Sequence, residues 1–291
     1  SENASFADLC NQHDLNFIGP PVRAMEWMGN KSNAVQTARK LGVAVVPGSH
    51  GVVTTPEAAL RIASDIGYPV MIKAVHGGGG RGIHRVDDER SMADDFLRMA
   101  AEAQSAFGSR DLYIEKYIGR FRHVEIQVLR DREGNTRVLG LRDCSVQRNH
   151  QKLVEESGST LLSQALREEA FRSAAAIADE IGYVGAGTVE FIFDLEAQAL
   201  YFMEMNTRLQ VEHPVTEAVT GIGIVAAQFE IASGGSIAEM KPSENGFAIE
   251  VRVNAERMER DCGKGRATGG LRIVPAPGSV MQMAGLSPPS T

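Results

Sequence analysis

Hydrophobic and polar positions alternate with the period of an extended chain along residues 201–213. One side of this stretch carries the polar side chains Glu204, Asn206, Arg208, Gln210 and Glu212, whereas the other side carries Met203, Met205, Leu209 and Val211. A solvated edge strand also alternates, but it would rarely combine carboxylates, amides and a guanidinium in this order. The pattern therefore predicts a strand whose polar face has a function.

A second strand is predicted over residues 187–194, which are rich in β-branched and aromatic side chains. If the five residues that follow form a hairpin folded near Ala197, Glu190 lies opposite Glu204. Two facing carboxylates destabilise a strand pair, and a Mg²⁺ ion with Asn206 as a further oxygen ligand would compensate for their repulsion. The alternative is a register slip of one or two residues, which turns one glutamate toward water.

The rest of the chain mixes helical and extended patterns. Apolar residues at helical spacing, with start and stop signals, predict helices over residues 30–41, 55–66, 91–107, 164–181 and 216–233. Short β-branched or alternating runs predict strands over residues 17–21, 43–48, 69–75, 83–86, 111–118, 123–129, 137–141 and 247–254. The densely polar residues 142–152 fit a charged loop, but their apolar flanks favour partial burial, where these polar groups need partners.

A glycine-rich loop lies between two predicted strands, at residues 76–82. It is neither a Walker A loop nor a dinucleotide fingerprint, because no helix follows the glycines. A flexible hairpin tip is the simpler interpretation. The functional one is a flap whose backbone N–H groups close over phosphates, with Lys73 at the end of the incoming strand. Lys31, in the first turn of a predicted helix, is either a surface lysine or a second group aimed at an anion.

Composition limits the classes of function. The chain has 291 residues, 43% hydrophobic and 23% charged, with a net charge of −7, which gives no overall basic surface for nucleic acid. It contains no apolar run of membrane-spanning length and no signal peptide. The scattered cysteines Cys10, Cys144 and Cys262 argue for a reduced, cytoplasmic setting and against structural zinc.

Several motifs together resemble the biotin carboxylase component of biotin-dependent carboxylases, which are ATP-grasp enzymes. The resemblance covers nearly the whole chain, through residues 29–31, 73–82, 115–118, 122–127, 142–145, 150–152 and 204–214. The last of these motifs is highly specific, whereas the glycine loop alone is not. The resemblance implies an α+β, ATP-grasp fold with a small mobile lid lobe and a larger antiparallel-sheet lobe.

The resemblance also implies a role for each matching residue. ATP should contact Lys31, Lys73, Gly79, Gly80, Glu115, Lys116, Tyr117 and Ile118, with His123 and His150 at the nucleoside end. The divalent metal, Mg²⁺ or Mn²⁺, should be held by Glu190, Glu204 and Asn206. Bicarbonate should be bound by Lys152, Arg208, Gln210 and Val211. Arg252 matches the position associated with the biotin ring.

The implied chemistry has two steps. Glu212 removes the bicarbonate proton, and the oxyanion attacks the γ-phosphate of ATP to give carboxyphosphate. Carboxyphosphate then breaks down to CO₂ and phosphate, and the ureido nitrogen of biotin, carried on a biotin carboxyl carrier protein, is carboxylated while Arg208 stabilises the enolate-like oxygen. A carboxyltransferase component is the second implied partner, and a homodimer is possible for the intact enzyme.

The family pattern divides the chain into three parts. Residues 1–44 correspond to the end of an N-terminal lobe with its connecting helix, 45–117 to the lid, and 118–291 to the central lobe with a shortened C-terminal lobe. The chain is therefore expected to be truncated at both ends and to bind ATP better than it carboxylates biotin. Asn149 and His76 depart from the usual family residues. Another ATP-grasp ligase and a non-catalytic ATP-binding module are the alternative functions.

Overall fold

A computed structural model describes residues 2–49, 51–76, 82–148, 151–253, 256–258 and 265–267. Its helices are α1 (Ala4–Gln12), α2 (Val22–Gly29), α3 (Lys31–Lys40), α4 (Pro56–Ile66), α5 (Glu89–Phe107), α6 (Gln164–Glu180), α7 (His213–Thr220) and α8 (Ile224–Ala232). Its strands are β1 (Val70–Ala74), β2 (Ile83–Val86), β3 (Leu112–Lys116), β4 (Phe121–Arg130), β5 (Thr136–Arg148), β6 (Gln151–Ser157), β7 (Gly185–Asp194), β8 (Ala199–Asn206), β9 (Ala248–Val251), β10 (Glu256–Met258) and β11 (Gly265–Ala267).

The largest element is a six-stranded antiparallel sheet in the order β8-β7-β4-β5-β6-β9. Strand β4 lies inside this sheet and is buried on both faces from residue 123 to residue 129. The apolar side chains of β4, β7 and β8 pack against α6, and Phe191 meets Phe202 edge to face at 6.2 Å between ring centroids. Polar side chains on β4 are consequently inside the protein, where each needs a partner.

A smaller lobe is built on the three-stranded sheet β2-β1-β3, which packs against α4 and α5. Its hydrophobic core runs from Val53 to Ile114 and is separate from the core of the large sheet. This core lies within residues 45–117, the range predicted for the lid. The bounds of this lobe at residues 45 and 117 and its movement remain predictions.

The chain crosses between the two sheets just before the small lobe. The N–H of Phe202 in β8 donates to the carbonyl of Ala44 at 2.8 Å, and the N–H of Lys116 in β3 donates to the carbonyl of Pro47 at 2.7 Å. The predicted strand over 43–48 is therefore wrong, because this segment forms only isolated bridges to each sheet in turn. A segment that passes from the large sheet to the small sheet within a few residues cannot form a continuous series of strand-pairing hydrogen bonds with either sheet.

Four predicted helices are confirmed as α3, α4, α5 and α6, each with a side-chain cap at its start. Asn30, Thr55, Asp88 and Ser163 accept hydrogen bonds from N–H groups of the first turn. These signals are local, which explains why the chain shows them without tertiary information.

Other elements differ from the predictions. Residues 17–21 form no strand, and the helices α1 and α2 on either side of them were not predicted. The helix predicted over 216–233 is two helices, because Gly221 ends α7 in the left-handed conformation (φ 69°). Residues 142–148 continue β5 as a strand rather than forming a loop, although their first residues are buried as expected.

Within the described residues, no single helix is long and apolar enough to cross a membrane. The pair α7 and α8 meets the criteria of length and composition only when taken together, and the two helices are bent by 95°.

Candidate active site

The Arg142 guanidinium lies at the centre of the site and is completely buried in β5. Its Nη2 and Nε donate to Glu125 Oε2 at 3.0 and 3.2 Å. Its Nη1 and Nη2 also donate to four further side-chain oxygens, at 2.7–3.1 Å, from Gln127, Thr188, Gln210 and Thr216. A buried charge is tolerated only with such complete pairing, so this network fixes three strands and the segment after β8 against one another.

Lys152 in β6 points into the same cluster and contacts three carboxylates. Its Nζ lies 2.7 Å from Glu212 Oε1 and 3.1 Å from Glu190 Oε1, and it also contacts Glu125. Burial opposes the charge on this lysine, but the three carboxylates raise its pKa well above the usual range. Lys152 therefore remains an ammonium group between two strands and the start of α7.

Glu212, directly before α7, has a buried carboxylate held between two cations. Its Oε1 accepts from Lys152, and its Oε2 accepts from Arg252 Nη2 at 2.9 Å. Burial favours the neutral acid, but Lys152 and then Arg142 outweigh burial and lower the pKa of Glu212. The carboxylate is thus ionised at neutral pH and can accept a proton, which is the state required of a general base.

Glu190 in β7 is the most heavily bonded carboxylate of the cluster. Its Oε1 accepts from Asn206 Nδ2 at 2.6 Å and from Gln210 Nε2 at 3.0 Å, while His123 Nε2 lies 2.8 Å from its Oε2. Burial raises the pKa of Glu190, but His123 and Lys152 lower it further than burial raises it. The same contact raises the pKa of His123 against the opposing effect of burial.

The predicted pairing of Glu190 with Glu204 is confirmed, although the hairpin turns half a residue earlier than expected. Phe191 pairs with Phe202, and a bulge before it brings Glu190 opposite Glu204. Directly paired residues project from the same face of a sheet, so the two carboxylates are neighbours. Desolvation and then the Glu190 charge raise the pKa of Glu204, although its side chain keeps an exposed surface.

These residues fit a hard divalent cation. Glu190, Glu204 and the Asn206 carbonyl provide oxygen donors, which Mg²⁺ prefers over nitrogen or sulfur. Since desolvation and the Glu190 charge raise the pKa of Glu204, a cation bound between the two carboxylates would relieve their repulsion. The roles of the three residues as metal ligands remain predictions.

The predicted nucleotide contacts lie between the small lobe and the start of α3. Lys31 Nζ lies 5.8 Å and Lys73 Nζ 6.0 Å from the ring centroid of Tyr113. Lys73 also forms an ion pair with Glu115 across the β1–β3 pairing. Burial, followed by the Glu115 charge, raises the pKa of Tyr113 to about 12, so its ring stays neutral between the two ammonium groups.

The segment 115–118 connects β3 to the large sheet. Lys116 Nζ donates to the backbone carbonyls of Gly67 and Tyr68 at 2.8 and 3.2 Å. The N–H groups of Lys116 and Tyr117 donate to Pro47 and Pro69. These three donors already have partners within the protein. An adenine ring held here, as predicted, would therefore bond to the backbone carbonyls of Lys116 and Tyr117 or to the backbone of Ile118, unless Lys116 rearranges.

Arg208 lies at the exposed side of the cluster and contacts a residue that the sequence did not single out. Its Nε donates to Glu2 Oε2 at 3.0 Å, and its Nη2 donates to Asn206 Oδ1 at 3.2 Å. Glu2 Oε1 also accepts from the N–H of Thr207 at 2.9 Å. Val211 is half exposed on the same side, so Arg208 and Val211 border the buried cluster rather than join it.

Three predicted site residues, Gly79, Gly80 and His150, lie outside the described residues, as does Asn149. His76, the other departure from the family pattern, is exposed at the end of β1. Gln210, by contrast, is buried, and both ends of its amide are bonded, to Arg142 and to Glu190.

The sequence predictions omitted Glu125, Arg142 and Glu2 from the site. The strict alternation at 123–129 predicts a strand but does not show what covers its two faces, so it does not single out Glu125. Only the neighbours of β4 show that both of its faces are covered. The dense polar run after residue 141 and the family motif at 142–145 are the signals in the sequence that include Arg142, whereas no local pattern points to Glu2.

Comparisons with known proteins agree with this arrangement. Residues 30–240 match the family described as carbamoyl-phosphate synthase L chain, ATP binding domain. The chain is 47% identical over 282 residues to biotin carboxylase 1 of Bacillus subtilis (strain 168), with 96% of this chain and 60% of that protein covered.

Solved structures give the same likeness. A biotin carboxylase complex from Campylobacter jejuni is 45% identical with a TM-score of 0.78, and 89% of this chain and 58% of that one are covered. The biotin carboxylase domain dimer of Hydrogenobacter thermophilus 2-oxoglutarate carboxylase, in complex with MgADP, ADP and bicarbonate, is 47% identical with a TM-score of 0.76 and coverages of 88% and 56%. The chain thus spans about 60% of the length of these proteins.

Proposed function

Because the chain belongs to the family of the carbamoyl-phosphate synthase L chain, ATP binding domain, and has the ATP-grasp fold of biotin carboxylases, we propose that it serves the ATP-dependent carboxylation of biotin. Its substrates would be ATP with Mg²⁺ or Mn²⁺, bicarbonate, and biotin attached to a carrier. The product would be carboxybiotin, formed by way of carboxyphosphate.

The observation that carries this proposal is the environment of Glu212. Its ionised carboxylate lies between Lys152 and Arg252, at 2.7 and 2.9 Å. A base held between cations can take the proton of bicarbonate while those cations stabilise the anion that results. The phosphoryl-transfer step, in which the γ-phosphate passes to bicarbonate and ADP leaves, needs positive charge around the phosphates, which Lys31 and Lys73 would supply from the other side.

A bound divalent cation would supply charge neutralisation between the phosphates and the carboxylates of Glu190 and Glu204, with Asn206 as the third ligand. The protein's own contribution is to hold these groups in place. His123, Gln210 and Lys152 all bond to Glu190, so its carboxylate is oriented before any ligand arrives. Such preorganisation reduces the rearrangement needed when the substrates bind.

Arg208 and Arg252 would serve the biotin end of the site. Arg208 lies past the cation-binding residues on the exposed side, and Arg252 reaches Glu212 from β9's C-terminal side. A planar guanidinium can donate two parallel hydrogen bonds to a ureido oxygen or to a carboxylate. This chemistry supports a role for both residues in binding the ring of carrier-borne biotin.

The partners are proposed from the same resemblance. A biotin carboxyl carrier protein or domain would deliver the ring, a carboxyltransferase component would use the product, and two copies of the intact enzyme would form a homodimer. No role in nucleic-acid binding or membrane insertion is proposed. We place the protein in the cytoplasm because Cys10 and Cys144 are buried free thiols; cell fractionation followed by immunoblotting tests that location.

The decisive experiment measures ATP hydrolysis with neither substrate, with bicarbonate, with biotin, and with both. Parallel samples measure incorporation of labelled bicarbonate into biotin. We expect substantial hydrolysis only when both are present, coupled to carboxybiotin formation. Glu212→Gln should abolish the coupled reaction, whereas Glu239→Gln, at an exposed position in the loop after α8, should leave it unchanged.

Two other outcomes would overturn the proposal. Hydrolysis that depends on bicarbonate but is indifferent to biotin would indicate a different ATP-grasp ligase. Tight ATP binding, measured by calorimetry, without hydrolysis under any of the four conditions would indicate a non-catalytic binding module.

A further inference from the structure

Two glutamates face each other at the edge of the large sheet, away from the cation-binding residues. Glu155 in β6 pairs directly with Glu250 in β9. Glu155 is completely buried, and within the described residues neither of its carboxylate oxygens accepts a hydrogen bond; the same is true of Glu250 Oε2. Glu155 Oε1 has the Arg252 Nε at 2.6 Å, so two buried oxygens on facing side chains, Glu155 Oε2 and Glu250 Oε2, still need a donor.

Arg252 joins this pair to the proposed base. Its Nε lies 2.6 Å from Glu155 Oε1 as an ion pair, and its Nη2 donates to Glu212 Oε2 at 2.9 Å. The guanidinium therefore has one carboxylate on each side. Glu212 is also paired with Lys152, but Glu155 and Glu250 have Arg252 as their neighbouring cation, and one positive charge is too little to balance two ionised carboxylates in a partly buried setting.

We propose that Glu155 and Glu250 share one proton as a carboxyl pair, and that this pair positions the Arg252 guanidinium against Glu212. A shared proton gives one of the orphaned oxygens a donor and its neighbour an acceptor. It also removes the repulsion between two facing charges in adjacent strands. Neither glutamate touches the reacting atoms, so both act through Arg252.

The charged groups around the pair support this arrangement. Lys152 on β6 and Arg142 on β5 already bond to Glu125, while Arg252 and Glu212 complete the local set. Helix α7, which packs against both edge strands, adds two titratable side chains that bond elsewhere: His213 to the Gln210 carbonyl and Glu217 to the N–H of Ile224. The unmatched negative charge therefore stays at the pair.

The directions of the pKa shifts of Glu155 and Glu250 agree with a shared proton. Burial raises the pKa of Glu155, and Arg252 only partly offsets this effect. Burial and then the Glu155 charge raise the pKa of Glu250 to about 7. Below that pH the pair carries one charge, which matches Arg252. Above that pH the shared proton leaves and the two carboxylates repel each other. Strand β9 and Arg252, which follows it, then lose their fixed position.

The first test observes the proton directly and does not depend on the proposed function. Carbon-13 resonances of labelled glutamate carboxyls are followed from pH 4 to 9 in the 291-residue protein. We expect one resonance that titrates near pH 7 and that is absent from Glu250→Gln. In the control Glu156→Gln, which removes an exposed carboxylate from the same strand, this resonance should remain. Ordinary titration of every glutamate below pH 5 would overturn the shared proton.

The second test concerns positioning and rests on the proposed function. In the wild type, KM for biotin should rise several-fold between pH 6.5 and 8.5. KM for ATP should have the same pH dependence in the wild type and in the Glu156→Gln control. Glu250→Gln should flatten the biotin profile, because glutamine stays neutral at every pH. Glu155→Gln should raise KM for biotin at all pH values, since Arg252 loses its ion pair.

The outcomes separate the two ideas. If the wild type shows no biotin-dependent turnover while the carboxyl resonance near pH 7 is present, the proposed function fails and the proton pair stands. If turnover is normal and the biotin profile is the same in the wild type and in Glu250→Gln, the positioning role is wrong.

Discussion

At the scale of single residues, the site is a buried network of charges in which each cation bonds to several side-chain oxygens. Lys152 contacts three of them, and Arg142 bonds to one carboxylate and four neutral oxygens. Buried ions of this kind stabilise a fold only while every partner is present. The same residues are therefore needed for stability and for the proposed reaction, and their variants must be tested for both.

Replacement of Arg142 by methionine should damage the fold more than the size of the change suggests. Glu125 would be left buried with Lys152 and, at 3.6 Å, His123 as its remaining partners, and four polar groups would lose a donor. We expect a loss of about 3–5 kcal/mol in the free energy of unfolding, measured by urea denaturation. Arg130→Met, which breaks a partly exposed pair with Asp179, is the control and should lose less than half as much. Equal losses would contradict the central role of Arg142.

Arg208 should matter for chemistry more than for nucleotide binding, because it lies on the exposed side and bonds to Glu2 and Asn206. Arg208→Ala should lower biotin-dependent turnover about 10- to 100-fold, as when a positioned charged donor is lost, with little change in the Kd for ATP. Arg208→Lys should not restore it, since a point charge does not replace a planar fork. Steady-state kinetics and calorimetry measure the two effects, and a large loss of ATP affinity would move Arg208 to the phosphate site.

At the scale of elements, hairpins deliver the functional side chains. The β7–β8 hairpin brings Glu190 opposite Glu204 through a bulge, and the β4–β5 hairpin brings Glu125 beside Arg142. The turn of the second hairpin is fixed by Asp131, whose carboxylate accepts from the N–H groups of Glu133, Asn135 and Ile237. The hydrogen bonds of Asp131 in this turn therefore help to fix the register of β4 and β5, in which Glu125 pairs with Arg142.

Asp131→Asn should destabilise the protein by about 1–3 kcal/mol at pH 7, because buried donors lose a charged acceptor. Desolvation raises the pKa of Asp131, but bonds from Asn135, Ile237 and Ser236 outweigh it and lower the pKa to about 2. A lowered pKa stabilises the fold above the ordinary aspartate value of about 4, and that contribution is lost as pH falls toward 2. Urea midpoints of the two proteins should therefore converge below pH 3; a constant difference would refute the assignment.

Glu204→Gln should weaken the response to divalent cations. It removes one of two facing carboxylates while keeping the shape of the side chain, so the hairpin should remain folded. The melting temperature is measured against Mg²⁺ concentration in the presence of ATP. We expect the Mg²⁺ concentration at half of the maximal increase in melting temperature to rise at least several-fold in the variant. Glu196→Gln, in the exposed turn of the same hairpin, is the control. An unchanged Mg²⁺ response in Glu204→Gln would exclude this residue as a ligand.

At the scale of the whole molecule, the small lobe has a hydrophobic core of its own, separate from the two core clusters that pack against the large sheet. The small lobe has its own core from Val53 to Ile114, and its link to the large sheet runs through the bridges at Val45 and Gly48 and through the segment after β3. Lobes that share little core can move relative to each other. Closure over a bound nucleotide would exclude water from a labile acyl phosphate.

Hydrogen exchange tests that movement. Amide exchange in the peptide covering β1 and β2, residues 70–86, should slow at least several-fold when ATP and Mg²⁺ bind, while exchange in α6 stays unchanged. The control is the same measurement with AMP, which lacks the phosphates that the lobe would cover. Equal exchange with and without ATP would contradict a closing lid.

The sequence by itself determined those features that depend on neighbours in the chain. Helices α3 to α6 follow from their caps and apolar spacing, and the pairing of Glu190 with Glu204 follows from two alternating runs joined by a short turn. Several short motifs together, of which the run at 204–214 is the most specific, indicated the family. In each case the information lies within about 25 residues, where turn geometry and periodicity constrain the backbone directly.

The tertiary structure alone decided what lies on both sides of a strand and which distant groups meet. Burial of Glu125 depends on β5 and β7 enclosing β4, and the contact of Glu2 with Arg208 joins residues more than 200 positions apart. The opposition of Glu155 and Glu250 likewise depends on β9 adding to the sheet edge. A strand shows its own alternation in the sequence, but not its neighbours. The charge balance of this site could therefore be read only after the strands had been assembled.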